Sequence, residues 1–407
     1  MNDTHFAITV FIVLLLIASG VAMATKWIAV PYTLALVIVG LVISPMHFLP
    51  PVHISPDLVL LIFLPALLFE AAWSLKLKEL RANIVPVLAL AIFGVGISVF
   101  LIAVLLHFTV GLEWITALLF GAIISATDPV SVLALFKRLG APERLTVIIE
   151  GESLFNDGTS VVVFTILVNI ATGVTQVESA SALTGHIISS FLFVVVGGLL
   201  VGLAAGFLAS SLTSHFDDHL LEITLTTIAA YGSFILAERI HVSPVIAVLV
   251  TGFLIGNYGR HTGMSPNTEV AVDSFWEYAA FVVNSLVFLL IGIEIQVSLL
   301  KEFAEPIIWA VFAMLGARAL VVYGTFPVIN RFTERVPWRW QHTIVWGGLR
   351  GSLSIALALS LPVDLPARLQ LIAMTFGAVT FSLLVQGLTI SRTIRLLRVT
   401  PAEASQS

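Results

Sequence analysis

The sequence predicts an all-α polytopic membrane protein of about 13 transmembrane helices, arranged as an inverted repeat with two discontinuous helices. Three observations lead there. The 407 residues are 58% hydrophobic and 11% charged, with a mean hydropathy of +1.07, a balance found in bilayers and not in water-soluble cores. Apolar runs follow one another from Phe6 to Leu397, each close to the length that crosses a hydrocarbon layer. Two of those runs carry a charge and helix breakers near their middles.

Cutting the chain at charged and Pro/Gly-rich breaks places the spans near residues 5–24, 31–47, 57–73, 84–107, 113–137, 143–170, 186–211, 219–238, 244–258, 270–295, 305–329, 338–360 and 368–391. The first run follows Asp3 and no basic segment, so it reads as helix one and not as a cleaved signal peptide. The 19 lysines and arginines orient the chain. With the N-terminus outside, 14 of them fall in inner loops, Arg239, Lys301 and Arg368 fall outside, and Arg318 and Arg350 lie within spans. Positive charge collects on the cytoplasmic side, so the expectation is an odd helix count in the cell membrane with the C-terminus inside. The inner loop at "HFDDH" has no basic residue and goes against this trend. Absence of cysteine excludes disulfides and thiolate metal sites. The net charge of -5 is spread over loops and implies no nucleic-acid partner.

The fifth span contains "SATDPVS", where Pro129 removes a backbone donor beside Asp128. In the twelfth, "WGGLRGSLS" sets Gly347, Gly348 and Gly351 around Arg350. Seven spans separate the two, so the halves that hold them run in opposite directions. Paired broken helices in an inverted repeat point to a secondary transporter with its site at the repeat interface.

An ionisable group inside a span costs about 2.5 to 3.5 kcal/mol on insertion scales, so each needs a reason. Asp128 reads as a cap that offsets the positive end of a half-helix, with Thr127 beside it offering a carbonyl or hydroxyl to a cation. On helix six, Ser153, Asn156 and Asp157 share one face at i, i+3 and i+4 spacing, and Glu152 stands four residues before Asn156. Ser and Asn often hold helices together, whereas a bare aspartate is poor glue, so Asp157 reads as functional. Arg350 keeps its proton and must be paired. Its expected partner is Glu152, on a facing helix. Glu70, in "LLFEAAW", reads either as an interfacial carboxylate or as an ion ligand. Arg318 is assigned to helix-end carbonyls, Glu294 to a span terminus and Glu150 to no role. Glu222 and His186, near span ends, read as interfacial, and Trp73, Trp114, Trp309, Trp338 and Trp340 as aromatic belts.

The stretch "ATDPVSVLALFKRLGAPERLTVIIEGESLFNDGTSVVVF", with "FLPALLFEAAW" before it and "WGGLRGSLSIALAL" after it, resembles NhaP-type sodium/proton antiporters, bacterial relatives of the animal sodium/proton exchangers. The resemblance runs nearly end to end with the motifs in order. It implies the NhaA/NhaP-like antiporter fold, Asp157 as the ion-carrying carboxylate, and Ser153, Thr127 and Glu70 as helpers in holding Na+. The "ND" pair Asn156 and Asp157 is the family's mark of electroneutral exchange, and Glu152 with Arg350 its internal ion pair. No cofactor is implied beyond the transported sodium and protons. The resemblance also implies a homodimer in the bilayer, with core helices at about 57–170 and 270–391 and dimerisation helices at about 5–47 and 186–258. Residues 392–407 would form a short cytoplasmic tail, where animal exchangers carry a long regulatory domain.

Rival classes fit less well. An intramembrane aspartyl protease needs two aspartates that share a proton, but Asp157 follows Asn156 and Asp128 precedes a proline. A channel needs a continuous pore, against which an inverted repeat with buried charge argues. Potassium/proton exchange and organic-anion symport on the same fold stay open at this point.

Overall fold

The computed structural model of the chain describes residues 3–27, 30–46, 55–174, 180–215 and 218–399. They form thirteen spans: α1 (Asp3–Ala24), α2 (Tyr32–Ile43), α3 (Leu58–Ser74), α4 (Ile84–Val110), α5, α6 (Glu143–Ala171), α7 (Ala180–Thr213), α8 (His219–Arg239), α9, α10 (Pro266–Glu294), α11 (Ala304–Ile329), α12 and α13 (Arg368–Leu396). Span α9 runs through Pro244–Leu254 and a π-helical continuation, Ile255–Gly259. Two spans are interrupted: α5 into α5a (Trp114–Ser125) and α5b (Val130–Leu139), α12 into α12a (Trp338–Trp346) and α12b (Ser352–Leu359). The breaks fall at the proline and the glycines that suggested them. Of the expected tail, residues 400–407 lie outside the described residues.

Packing divides the spans into two groups. In the first, α4 lies against α5a and α11, α5a against α6, α12b and α13, and α11 against α13. In the second, α2 lies against α1 and α10, α3 against α9 and α10, and α7 and α8 against α9. Spans α3 and α10, which the resemblance implied for the core, pack with the second group. Small residues explain this. Where α2 crosses α10, Gly40 and Gly292 bring the two backbones together: a Cβ on Gly292 would stand 3.0 Å from both Gly40 Cα and Leu41 N.

Two expectations about interfacial residues change. Trp73 is no belt residue: it is buried, donates its indole N–H to Asp273 (2.6 Å) and lies under the Arg260 guanidinium at 4.6 Å. Arg260 also pairs with Asp273, and with Glu269 at 3.3 Å, so α3, α9 and α10 are tied together where they meet. Glu222 is fully buried and not interfacial. The His186 side chain lies outside the described residues.

Because the α2–α10 crossing has no room for a methyl group, Gly292→Ala should lower stability by about 1 to 3 kcal/mol, read as a fall in the melting temperature of detergent-purified protein. Gly316→Ala, whose Cβ would meet nothing within 4 Å, should not. Equal melting temperatures for the two variants would mean that this contact is slack.

Candidate functional site

Interrupting a helix in a bilayer exposes backbone groups that water cannot reach. The two breaks cross, and the Asp128 N–H donates to the Leu349 carbonyl at 2.8 Å. The C-terminal end of α5a is met by Arg350, whose Nη1 donates to the carbonyls of Ser125 (2.8 Å) and Ala126 (3.1 Å). The C-terminal end of α12a is met by Arg318, whose Nη2 donates to the Ile344 carbonyl at 3.1 Å, and by Gln386 Nε2 on the Trp346 carbonyl at 3.1 Å. Each cation thus sits where a half-helix carries negative partial charge.

Asp128 takes the opposite ends. Its Oδ1 accepts the Val130 N–H at 3.0 Å, which caps α5b as expected. It also rests against Gly351, the residue that opens α12b: a Cβ there would be 2.5 Å from Asp128 Cβ. One carboxylate therefore caps α5b and lies against the residue that opens α12b, and only glycine leaves it the space.

Glu152 corrects the sequence reading. Its partner is Arg318, not Arg350: Nη1 meets Oε1 at 2.7 Å and Nη2 meets Oε2 at 2.8 Å, a two-pronged pair with side-chain exposures of 9% and 2%. Arg350 is held by the carbonyls of α5a. Both arginines were visible as charges within spans. Which of them faces Glu152 depends on how α11 and α12 are rotated and how deep they sit, and periodicity does not give that. Ser382 and Gln386 were missed altogether. They lie on a π-helical turn of α13 (Ser382–Gln386), where Ser382 accepts the Arg350 N–H at 2.9 Å. A lone buried Gln in an apolar run was the signal available.

Around Thr127 the remaining residues form a closed network. The Thr127 N–H donates to Asn156 Oδ1 (3.3 Å), and Asn156 Nδ2 donates to Thr127 Oγ1 (2.7 Å) and Glu152 Oε1 (3.1 Å). The Thr127 hydroxyl donates to Ser153 Oγ at 3.2 Å, and the Ser153 hydroxyl donates to the Thr127 carbonyl. Asp157 stands beside this network with Asp128, Glu152 and Arg350 as its charged neighbours. Its Oδ1 is buried and has no hydrogen-bond partner among the described residues. The structure thus gathers Thr127, Asp128, Glu152, Ser153, Asn156, Asp157 and Arg350. Glu70 stands apart. The carboxylates that act on it are Glu150 and Glu277, and no hydrogen bond joins it to Thr127 or Ser153.

A cavity of about 760 Å³ begins one helical turn beyond Asp157, lined by Val161, Thr165 and Asn169 of α6, Leu357 of α12b, Ser360 after it, and Phe193 of α7 among others. Residues 10–396 match the family described as sodium/hydrogen exchanger, transmembrane. The chain belongs to the sodium/hydrogen exchanger family. By family it is a multi-pass sodium/proton antiporter and not an enzyme. It is 44% identical over 392 residues to the Na(+)/H(+) antiporter ApNhaP of Aphanothece halophytica, covering 95% of this chain and 74% of that one. To the Na(+)/H(+) antiporter NhaH of Halobacillus dabanensis it is 37% identical, covering 98% of this chain and 99% of the relative. The fold matches the sodium proton antiporter MjNhaP1 of Methanocaldococcus jannaschii with a TM-score of 0.79 at 20% identity, covering 97% and 99% of the two chains.

A buried bidentate pair predicts a large coupling. Glu152→Gln or Arg318→Met alone should cost about 3 to 5 kcal/mol, and the double variant less than the sum. The same thermodynamic cycle run on Glu152 and Arg350 should give a smaller coupling. Additive losses for Glu152 and Arg318 would show that the pair does not form.

Proposed function

We propose that this exchanger carries one sodium ion or one proton at a time on Asp157, and so exchanges them one for one. The observation that carries the reading is the unpaired Asp157 Oδ1 in a site whose other charges are engaged: Glu152 by Arg318, Asp128 by half-helix ends, and Arg350 by carbonyls. A bare carboxylate is expensive away from water. A proton neutralises it, and so does a sodium ion, and the two compete for the same oxygens. Hydroxyl and carbonyl oxygens of Ser153 and Thr127 lie beside it as ligands suited to a hard alkali cation.

The cavity beyond Val161 is the access route to Asp157 in this conformation. By the distribution of basic residues, the N-terminus lies outside and the C-terminus in the cytoplasm of the cell membrane, so the cavity faces outward. The first packing group carries the site and moves as a core against the second, which holds the dimer contact. Exchange results if only the neutralised core crosses.

Stoichiometry follows from which groups titrate. Asn156 binds no proton, and both buried cations are arginines whose protons are fixed. Each crossing then moves a neutral site, and the full cycle moves no net charge. Two measurements in proteoliposomes check this. Asp157→Asn should abolish sodium-driven proton flux while the protein still folds and inserts; robust exchange in that variant removes Asp157 from the mechanism. Initial sodium uptake at a fixed pH gradient should be the same in vesicles poised inside-negative and inside-positive with potassium and valinomycin. A several-fold difference would mean that a second group carries a proton, and Glu70→Gln is then the variant to examine.

A further inference from the structure

A serine or threonine settles into a helix by donating its hydroxyl to a carbonyl one turn back. This chain does so repeatedly: Ser125 to Gly121 (2.6 Å), Thr159 to Phe155 (3.0 Å), Thr251 to Ala247 (2.7 Å) and Thr375 to Leu371 (2.8 Å). Ser160 and Ser354 depart from that habit. Both are fully buried, yet neither Oγ has a hydrogen-bond partner among the described residues. A bilayer offers no water to make good the loss.

Their register on the helices gives them a common place. Ser160 is three residues beyond Asp157 and four beyond Asn156, hence on the same face of α6. Val161 of α6 and Leu357 of α12b both line the cavity, and the two helices are in contact. Asp157 is one turn before Val161, and Ser354 is one turn before Leu357. Asp157 and Ser354 therefore each stand one turn before a residue that lines the same cavity, on helices in contact, and Ser160 directly precedes the lining residue Val161. Asp157 Oδ1, Ser160 Oγ and Ser354 Oγ are three buried oxygens without hydrogen-bond partners among the described residues. On the other side of Asp157, the Thr127 and Ser153 hydroxyls already bond to each other.

We propose that Ser160 and Ser354 are further cation ligands, neutral hydroxyl oxygens that replace water around the ion as it passes from the cavity to Asp157. This rests on the exchange reading. Hard alkali cations take neutral oxygens alongside a carboxylate, and neutral ligands leave the charge count of the cycle unchanged. The pair sets affinity and the choice among alkali cations, whereas Asp157 sets exchange itself.

The experiment is sodium- and lithium-driven proton flux in proteoliposomes for the wild type, Ser160→Ala and Ser354→Ala, with Ser→Thr and Ser→Cys at each position. Each alanine should raise the apparent KM for sodium by about three- to tenfold and shift the sodium-to-lithium ratio, with maximal flux near that of the wild type. Threonine should restore KM. Cysteine keeps the volume but offers a soft sulfur in a chain that has no other cysteine, so it should behave as alanine does and decides the matter where alanine fails to fold. Wild-type KM and ion ratio in the alanine or cysteine variants would overturn the proposal, and so would a fall in maximal flux at unchanged KM. If the wild type itself moves no protons with sodium, lithium or potassium, it is the exchange reading that fails, before any variant is compared.

Discussion

Two helices are cut in the middle of a bilayer, and most of the buried charge in this protein answers to that cut. Each break leaves a carbonyl-rich end and an N–H-rich end with no water to satisfy them. Arg350 and Arg318 supply the donors, and Asp128 the acceptor. Glu152 then balances Arg318 through two short bonds. Insertion-scale costs of about 2.5 to 3.5 kcal/mol per charge are tolerable because each charge is matched to a dipole or an opposite charge.

The same constraint builds the site. Breaking α5 at Ala126 to Pro129 turns Thr127 out of helical geometry and frees its N–H, carbonyl and hydroxyl to bond with Asn156 and Ser153 of α6. Those bonds fix the face of α6 on which Asp157 stands. Span α6 also touches α3, α7 and α9 of the second packing group, and the side-chain bonds that cross between groups include Thr33 of α2 with Ser131 of α5b and Ser74 with Glu150 at 3.5 Å. The seam is otherwise built from residues such as Gly158 against Ile246. Apolar seams of this kind resist sliding less than hydrogen-bonded ones, since few directional bonds have to be exchanged.

What the sequence made legible was local. Span lengths, the two breaks, the shared face of Ser153, Asn156 and Asp157, and the capping role of Asp128 all follow from spacing along one helix. What it hid depends on how helices are turned toward each other. The Glu152 partner changed from Arg350 to Arg318 because two arginines at similar depth cannot be told apart by pattern. Trp73 was read as an interface marker because tryptophan is common there, and the Asp273 and Arg260 that hold it inside come from α10 and the end of α9, nearly 200 residues away. Glu70 shares the family's motif, but its charged neighbours are Glu150, to which the sequence reading gave no role, and Glu277 of α10, outside the quoted stretches.

A charge count joins the fold to the cycle. Arg318 and Arg350 carry two fixed positive charges, and Glu152 and Asp128 two negative ones, so the scaffold of the site sums to zero before Asp157 is counted. With sodium or a proton on Asp157 the whole buried set is neutral; with neither, it holds one uncompensated negative charge in a low dielectric, the costliest of the three states. In the proposed cycle this ordering makes the empty core the one that does not cross, which is what separates exchange from leak. Had Asn156 been an aspartate or either arginine a lysine, a second proton could come and go and the balance would no longer fix the ratio. In the proposed cycle, the helix-end charges that keep the fold intact thus also leave Asp157 as the group whose occupancy decides whether the core can move.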